Sequence, residues 1–137
     1  MHFCLVDRVV ERSPERVVTI KQVSAAEEYL QDHFPGFPVL PGVMMVEAMV
    51  QAGRVLLEAR AEQGLWSGAT PTRMVLGGVR ALKYGRFVRP GEVLRIEVGV
   101  AKELGEGMIE LRGEGHVGDD PSAAVAGKFT MRSVRTE

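Results

Sequence analysis

Hydrophobic and polar positions follow two rhythms along this chain, and the change from one to the other marks its organisation. Residues 5–10 and 17–23 are rich in β-branched side chains, with Ser13-Pro14-Glu15 between them. That pattern predicts two strands joined by a turn. Ser24 followed by Glu27 has the spacing of a capping box and predicts a short helix through Leu30. The ten residues from His33 to Gly42 hold three prolines and two glycines, which excludes regular helix and central strand. They also hold Phe34, Phe37, Val39 and Leu40, so a rigid, buried loop is expected.

From Gly42 to Glu62 good helix formers dominate. The first three turns are apolar on nearly every side, the mark of a helix buried all round. Arg54, Glu58, Arg60 and Glu62 should bring the last turns into solvent, and Gly64 is the expected stop. Four strand patterns follow, at 74–84, 93–103, 108–118 and 123–134. Gly77-Gly78 predicts a bulge in the first, and the second alternates Leu94, Ile96, Val98 and Val100 against Arg95, Glu97, Gly99 and Ala101. The order predicts an α+β fold, one antiparallel sheet wrapped around one long helix, because such a helix needs cover on most of its circumference.

Length and charge narrow the function. The 137 residues suit a single domain over 1–137, and 45% hydrophobic content excludes a disordered chain. The net charge of -1 argues against nucleic-acid binding, which requires a basic surface. Cys4, the only cysteine, has no internal disulfide partner, which fits a reducing, cytoplasmic setting. The first eight residues lack the basic region and apolar core of a secretory signal. The apolar run at 39–52 is interrupted by Pro41, Glu47 and Gln51 and is too short to span a bilayer.

Candidate chemistry concentrates between His33 and Gly53. Glu47 is the only carboxylate there, and no Lys or Arg occurs. A carboxyl in the second turn of an apolar helix is expected to be buried, with apolar walls raising its pKa toward that of a general acid. Gln51, four residues on, shares its face and can hold it by a hydrogen bond. His33 is a titratable base at the start of the rigid loop, and Gly42 stands at a helix N-terminus whose N–H groups can bind a developing oxyanion. Taken singly, each has a bland reading. Glu47 can snorkel or lie at an interface, His33 can be structural, and Met44, Met45, Met49 and Val50 can be core rather than the lining of an acyl tunnel. Base, oxyanion donor and acid within 15 residues form the set that proton abstraction next to a carbonyl requires.

The run HFPGFPVLPGVMMVEAMVQAG resembles the signature of the (3R)-hydroxyacyl-acyl carrier protein dehydratases of fatty acid synthesis. Residues 5–9, Lys83-Tyr84 and Arg89-Pro90-Gly91-Glu92 are similar to other stretches of that family, so the likeness covers nearly the whole chain. The resemblance implies a hot-dog fold and the conversion of a (3R)-3-hydroxyacyl thioester into a trans-2-enoyl thioester in fatty acid or related lipid or polyketide biosynthesis. It implies His33 and Glu47 as catalytic residues, Gly42 as oxyanion donor and Gln51 as support for the acid. It implies no metal and no cofactor. The implied partners are an acyl carrier protein and a second copy of the chain, in a dimer with shared sites and possible assembly as three dimers. Glu47, where the branch that also isomerises has Asp, favours the plain dehydratase. Phe37 and Tyr84 depart from the family, which more often has His or Arg, and Phe. Lys83, Arg86 and Arg89, with Arg80 nearby, form a local basic cluster suited to an acidic carrier or simply to solvent. Two other readings share the fold: a hot-dog thioesterase that hydrolyses the thioester, and a non-catalytic subunit that binds an acyl carrier.

Overall fold

The computed structural model describes residues 4–66 and 70–134. Strands β1 (Arg8–Arg12) and β2 (Arg16–Gln22) lead to a short helix α1 (Tyr29–Asp32) and then to the long helix α2 (Gly42–Glu62). A 3-10 turn at Pro71–Arg73 opens β3 (Met74–Tyr84), which is followed by β4 (Val93–Gly105), β5 (Met108–Val117) and β6 (Val125–Ser133). All six strands form one antiparallel sheet in the order β1-β2-β4-β5-β6-β3. The sheet curls around α2, the hot-dog arrangement that the element order implied.

The alternation in β4 works as expected: Leu94, Ile96 and Val98 are buried against the helix while Arg95 is exposed. A glycine in β5 and one in α2 explain how closely the helix lies on the sheet. A methyl group on Gly113 would stand 2.5 Å from the Met49 sulfur, and one on Gly53 would stand 2.9 Å from Leu111 Cδ1. Side chains at these two positions would push the helix outward and open voids beneath Leu56, Phe129 and Met131, all buried.

Helix α2 runs over the residues its composition predicts, and Gly64 ends it at φ +70°, with Leu65 N–H donating to Arg60 O. Its burial differs from the pattern in two places. Val43, in the supposedly enclosed first turn, is 73% exposed. Arg60, expected in solvent, is buried, because its guanidinium reaches back over the sheet to Pro14 O and the Glu103 carboxylate. The capping pair forms, with Ser24 N–H donating to Glu27 Oε2, but helix begins only at Tyr29. Glu27 instead turns to a buried ion pair with Lys21 at 2.7 Å and accepts a hydrogen bond from Tyr29. In β1 pairing begins at Arg8 rather than at residue 5. Leu5 is buried beside the sheet, and its N–H donates to a helix side chain. The bulge falls at Gly77 as expected, and a second irregularity between Arg80 and Lys83 places Ala81 at φ +55°. No helix among the described residues is long and apolar enough to cross a membrane.

Candidate active site

The 33–42 loop is held by its own backbone. Phe34 and Phe37 exchange N–H to C=O bonds at 2.9 Å, Val39 N–H donates to His33 O, and Leu40 N–H donates to Val88 O at 2.8 Å. Val39 and Leu40 are buried as expected, but Phe34 and Phe37 are 49% and 40% exposed. Proline and glycine make the loop rigid without enclosing its aromatic rings, since tight turns point those rings outward.

His33 lies at the end of α1, stacked on Phe34 with ring centroids 4.1 Å apart. Its Nδ1 is 3.0 Å from Val39 O. A carbonyl only accepts, so Nδ1 carries the proton, and the neutral ring presents a bare Nε2, the form a general base needs. Met44 and Met45 N–H both turn to Pro41 O, and Gly42 N–H opens the helix with no partner among the described residues. His33 and Gly42 line one cavity of about 710 Å³ with Val39, Leu40, Met45, Tyr84, Gly85, Arg86 and Phe87. Apart from His33, Tyr84 and Arg86 its side chains are apolar. Met45 therefore combines two roles, as a core residue with one edge on the cavity, while Met49 and Val50 belong to the core.

Glu47 does not join them. It lies five residues past Gly42, which places it about 140° around the helix, whereas Met45 is only about 60° away. The expectation of burial also fails: the Glu47 side chain is 41% exposed. Gln51 holds it as expected, Nε2 donating to Glu47 Oε1 at 3.1 Å. The Gln51 carbonyl accepts from Leu5 N–H at 2.7 Å, which fixes which end of the amide faces the carboxylate. Arg54 Nη1 stands 3.9 Å from the same Oε1 and its Nε donates to Met74 O, contacts no local pattern announced. One chain thus brings His33 and Gly42 together, and separately Glu47 and Gln51.

The basic cluster also resolves into two kinds. Arg80 is paired with Glu110 by two hydrogen bonds, and Arg86 bridges Glu92 and Asp120. Arg86 is a partly exposed strut between loops. Lys83 and Arg89 are exposed, and the Arg89 guanidinium sits over the Phe37 ring at 4.9 Å, with Phe87 edge-on to Phe37 at 5.6 Å. Phe87 is a wall residue that sequence reasoning missed, and Tyr84, noted there only as a departure from the family, is another. The signal available was a pair of aromatics flanking Gly85-Arg86 just before a Pro-Gly turn.

Comparison with known proteins is consistent with this architecture. A family model described as FabA-like domain matches residues 1–125. The 3-hydroxyacyl-acyl-carrier-protein dehydratase FabZ of Symbiobacterium thermophilum is 38% identical over 138 residues, covering 98% of this chain and 90% of that protein. The FabZ of Oenococcus oeni is 44% identical over 99 residues, covering 72% of this chain and 67% of the relative. Among solved structures, the dehydratase heterocomplex ApeI:P from Xenorhabdus doucetiae superposes with a TM-score of 0.75 at 23% identity, over 97% of this chain and 84% of that one. A hypothetical thioesterase with coenzyme A from Streptococcus pneumoniae superposes at 0.66 and 12% identity, over 93% and 84%, a likeness of fold alone.

Proposed function

The chain belongs to the FabA-like domain family, and on that premise we propose that it is a 3-hydroxyacyl-acyl carrier protein dehydratase, a hydro-lyase of fatty acid biosynthesis. The observation that carries the reading is the single cavity lined by both the His33 imidazole, whose Nδ1 is held by Val39 O, and the N-terminal Gly42 of the helix. The Gly42 N–H receives the thioester oxygen and stabilises the enolate character that appears as C2 loses its proton. His33 Nε2 takes that proton. Glu47, steadied by Gln51, gives a proton to the departing C3 hydroxyl, and water leaves with the C2–C3 double bond formed.

Because Glu47 lies on the far side of α2 from the cavity, each site draws His33 and Gly42 from one copy and Glu47 from another, in a homodimer. The edge strand β3 supports this assembly: Leu76, Val79 and Leu82 are exposed along an unpaired edge. Three such dimers in a hexamer are compatible with it. The acidic carrier meets Lys83 and Arg89 at the cavity rim, and the work is done in the cytoplasm.

One assay tests the reading. The chain is incubated with a 3-hydroxyacyl-carrier protein while enoyl absorbance and free thiol are followed together. Enoyl product without thiol is expected; thiol release instead would make the chain a thioesterase. Shared sites are checked by mixing. His33→Ala and Glu47→Gln variants are each inactive, and refolded together they should regain about a quarter of wild-type activity, since half the dimers are mixed and each carries one intact site. No recovery would place both residues in one chain's site.

A further inference from the structure

The cavity holds one more polar group that the chemistry above leaves unused. Tyr84 ends β3, and its ring covers Gly42: a methyl group on Gly42 would stand 2.7 Å from Tyr84 Cζ and 2.9 Å from its hydroxyl oxygen. The phenol therefore lies directly beside the helix mouth. Its hydroxyl has no hydrogen-bond partner among the described residues, and partial burial raises its pKa above the ordinary tyrosine range, so it keeps its proton at neutral pH.

The other polar groups of the cavity are already engaged. His33 Nδ1–H donates to Val39 O, and Arg86 is spent on Glu92, Asp120 and Phe87 O. Two donors remain uncommitted, Gly42 N–H and Tyr84 O–H, in a cavity whose remaining lining is apolar apart from the engaged His33 and Arg86. The backbone that carries the phenol, a residue 48% exposed, is fixed from behind. Tyr84 pairs with Val125 across the sheet, and Gly85 N–H donates to Ala124 O at 3.1 Å. Gly85 also packs so tightly on the Ala123 carbonyl that no side chain fits there, and Arg86 ties the next residue to two loops. A donor carried on so fixed a backbone needs little reorganisation when charge develops in front of it.

We propose that the Tyr84 hydroxyl is a second oxyanion donor, binding the thioester carbonyl oxygen alongside the Gly42 N–H as the C2 proton leaves. The inference rests on the dehydratase reading. It makes Tyr84 a catalytic residue whose contribution grows as charge moves onto that oxygen, so its loss falls on kcat rather than on KM.

Tyr84→Phe tests this, since it keeps the ring over Gly42 and removes one hydroxyl. With a 3-hydroxyacyl-carrier protein as substrate, kcat should fall about tenfold with KM within about twofold, at an unchanged melting temperature. A wild-type kcat, or an effect confined to KM, overturns the proposal. A second variant guards against misfolding. A ring-fluorinated tyrosine at position 84 ionises at lower pH and cannot donate once ionised, so the alkaline fall of kcat should move to lower pH. An unmoved limb also overturns the role. Absence of enoyl product from the wild type would reject the dehydratase itself. Enoyl product from the wild type at a rate that Tyr84→Phe matches would reject only the phenol's part.

Discussion

Two charged residues on the same apolar helix have opposite fates. Arg60, in the last turn of α2, is 8% exposed and held through both terminal nitrogens by Pro14 O and Glu103, with only Nε left unpartnered among the described residues. Glu47, in the second turn, has one hydrogen bond, from Gln51, a cation 3.9 Å away and a side chain 41% exposed. The arginine ties three parts of the fold together. The carboxylate is aimed and left uncovered, which serves a group that must meet something from outside the chain. The difference teaches that a charged residue on a buried helix announces structure or chemistry through how completely its partners consume it.

The sharpest way to break this comparison is Glu47→Gln. Dehydration should fall at least about a thousandfold, equivalent to about 4 kcal/mol of transition-state stabilisation, with little change in melting temperature. A large loss of stability would put Glu47 in the class of Arg60. Lys21→Met comes next. Glu27 is largely buried, and burial pushes its carboxyl up. Hydrogen bonds from Lys21, Tyr29 and the Ser24 N–H outweigh burial and hold it below the ordinary 4.5. A depressed carboxyl contributes stability above its ordinary pKa and loses it as pH falls through the lowered value. Lys21→Met should therefore cost about 2–3 kcal/mol near pH 7, and the gap to wild type should narrow below about pH 4, as read by chemical denaturation across pH.

Arg60→Met should be milder, about 1–2 kcal/mol, because Glu103 is already 63% exposed and only the Pro14 carbonyl loses its donor. Activity per folded molecule should stay at the wild-type level. The smallest effect belongs to the rim. Lys83→Glu with Arg89→Glu should lower carrier-linked turnover a few-fold at low salt and hardly at all at high salt, since exposed charges are screened. Equal loss on a small pantetheine thioester would show that the pair acts on the cavity and not on the carrier.

Much of the fold was legible in the sequence. Gly42 to Glu62 reads as helix because helix formers dominate between Pro41 and Gly64, and β4 reads from its own alternation. The candidate site residues His33, Gly42, Glu47 and Gln51 stood out as the polar or special groups in an apolar stretch. What was misjudged depends on distance along the chain. Arg60 looked solvent-bound because Glu103 and Pro14 lie 43 and 46 positions away. For Arg86 one partner, Glu92, lies six positions on and within reach of a local reading, whereas Asp120 lies 34 positions on.

The sequence by itself determined which groups are candidates for chemistry and on which local element each rides, since turn residues, capping and periodicity act over a few neighbours. Only the tertiary structure decided which of them meet. The pitch of the α-helix turns Glu47 away from the cavity that holds Gly42. The return of β3 and its following loop to the mouth of α2 brings Tyr84 over that glycine, although 42 residues separate them. Packing of this kind is set by the sheet order, a cooperative property of all six strands that no short stretch of the chain contains.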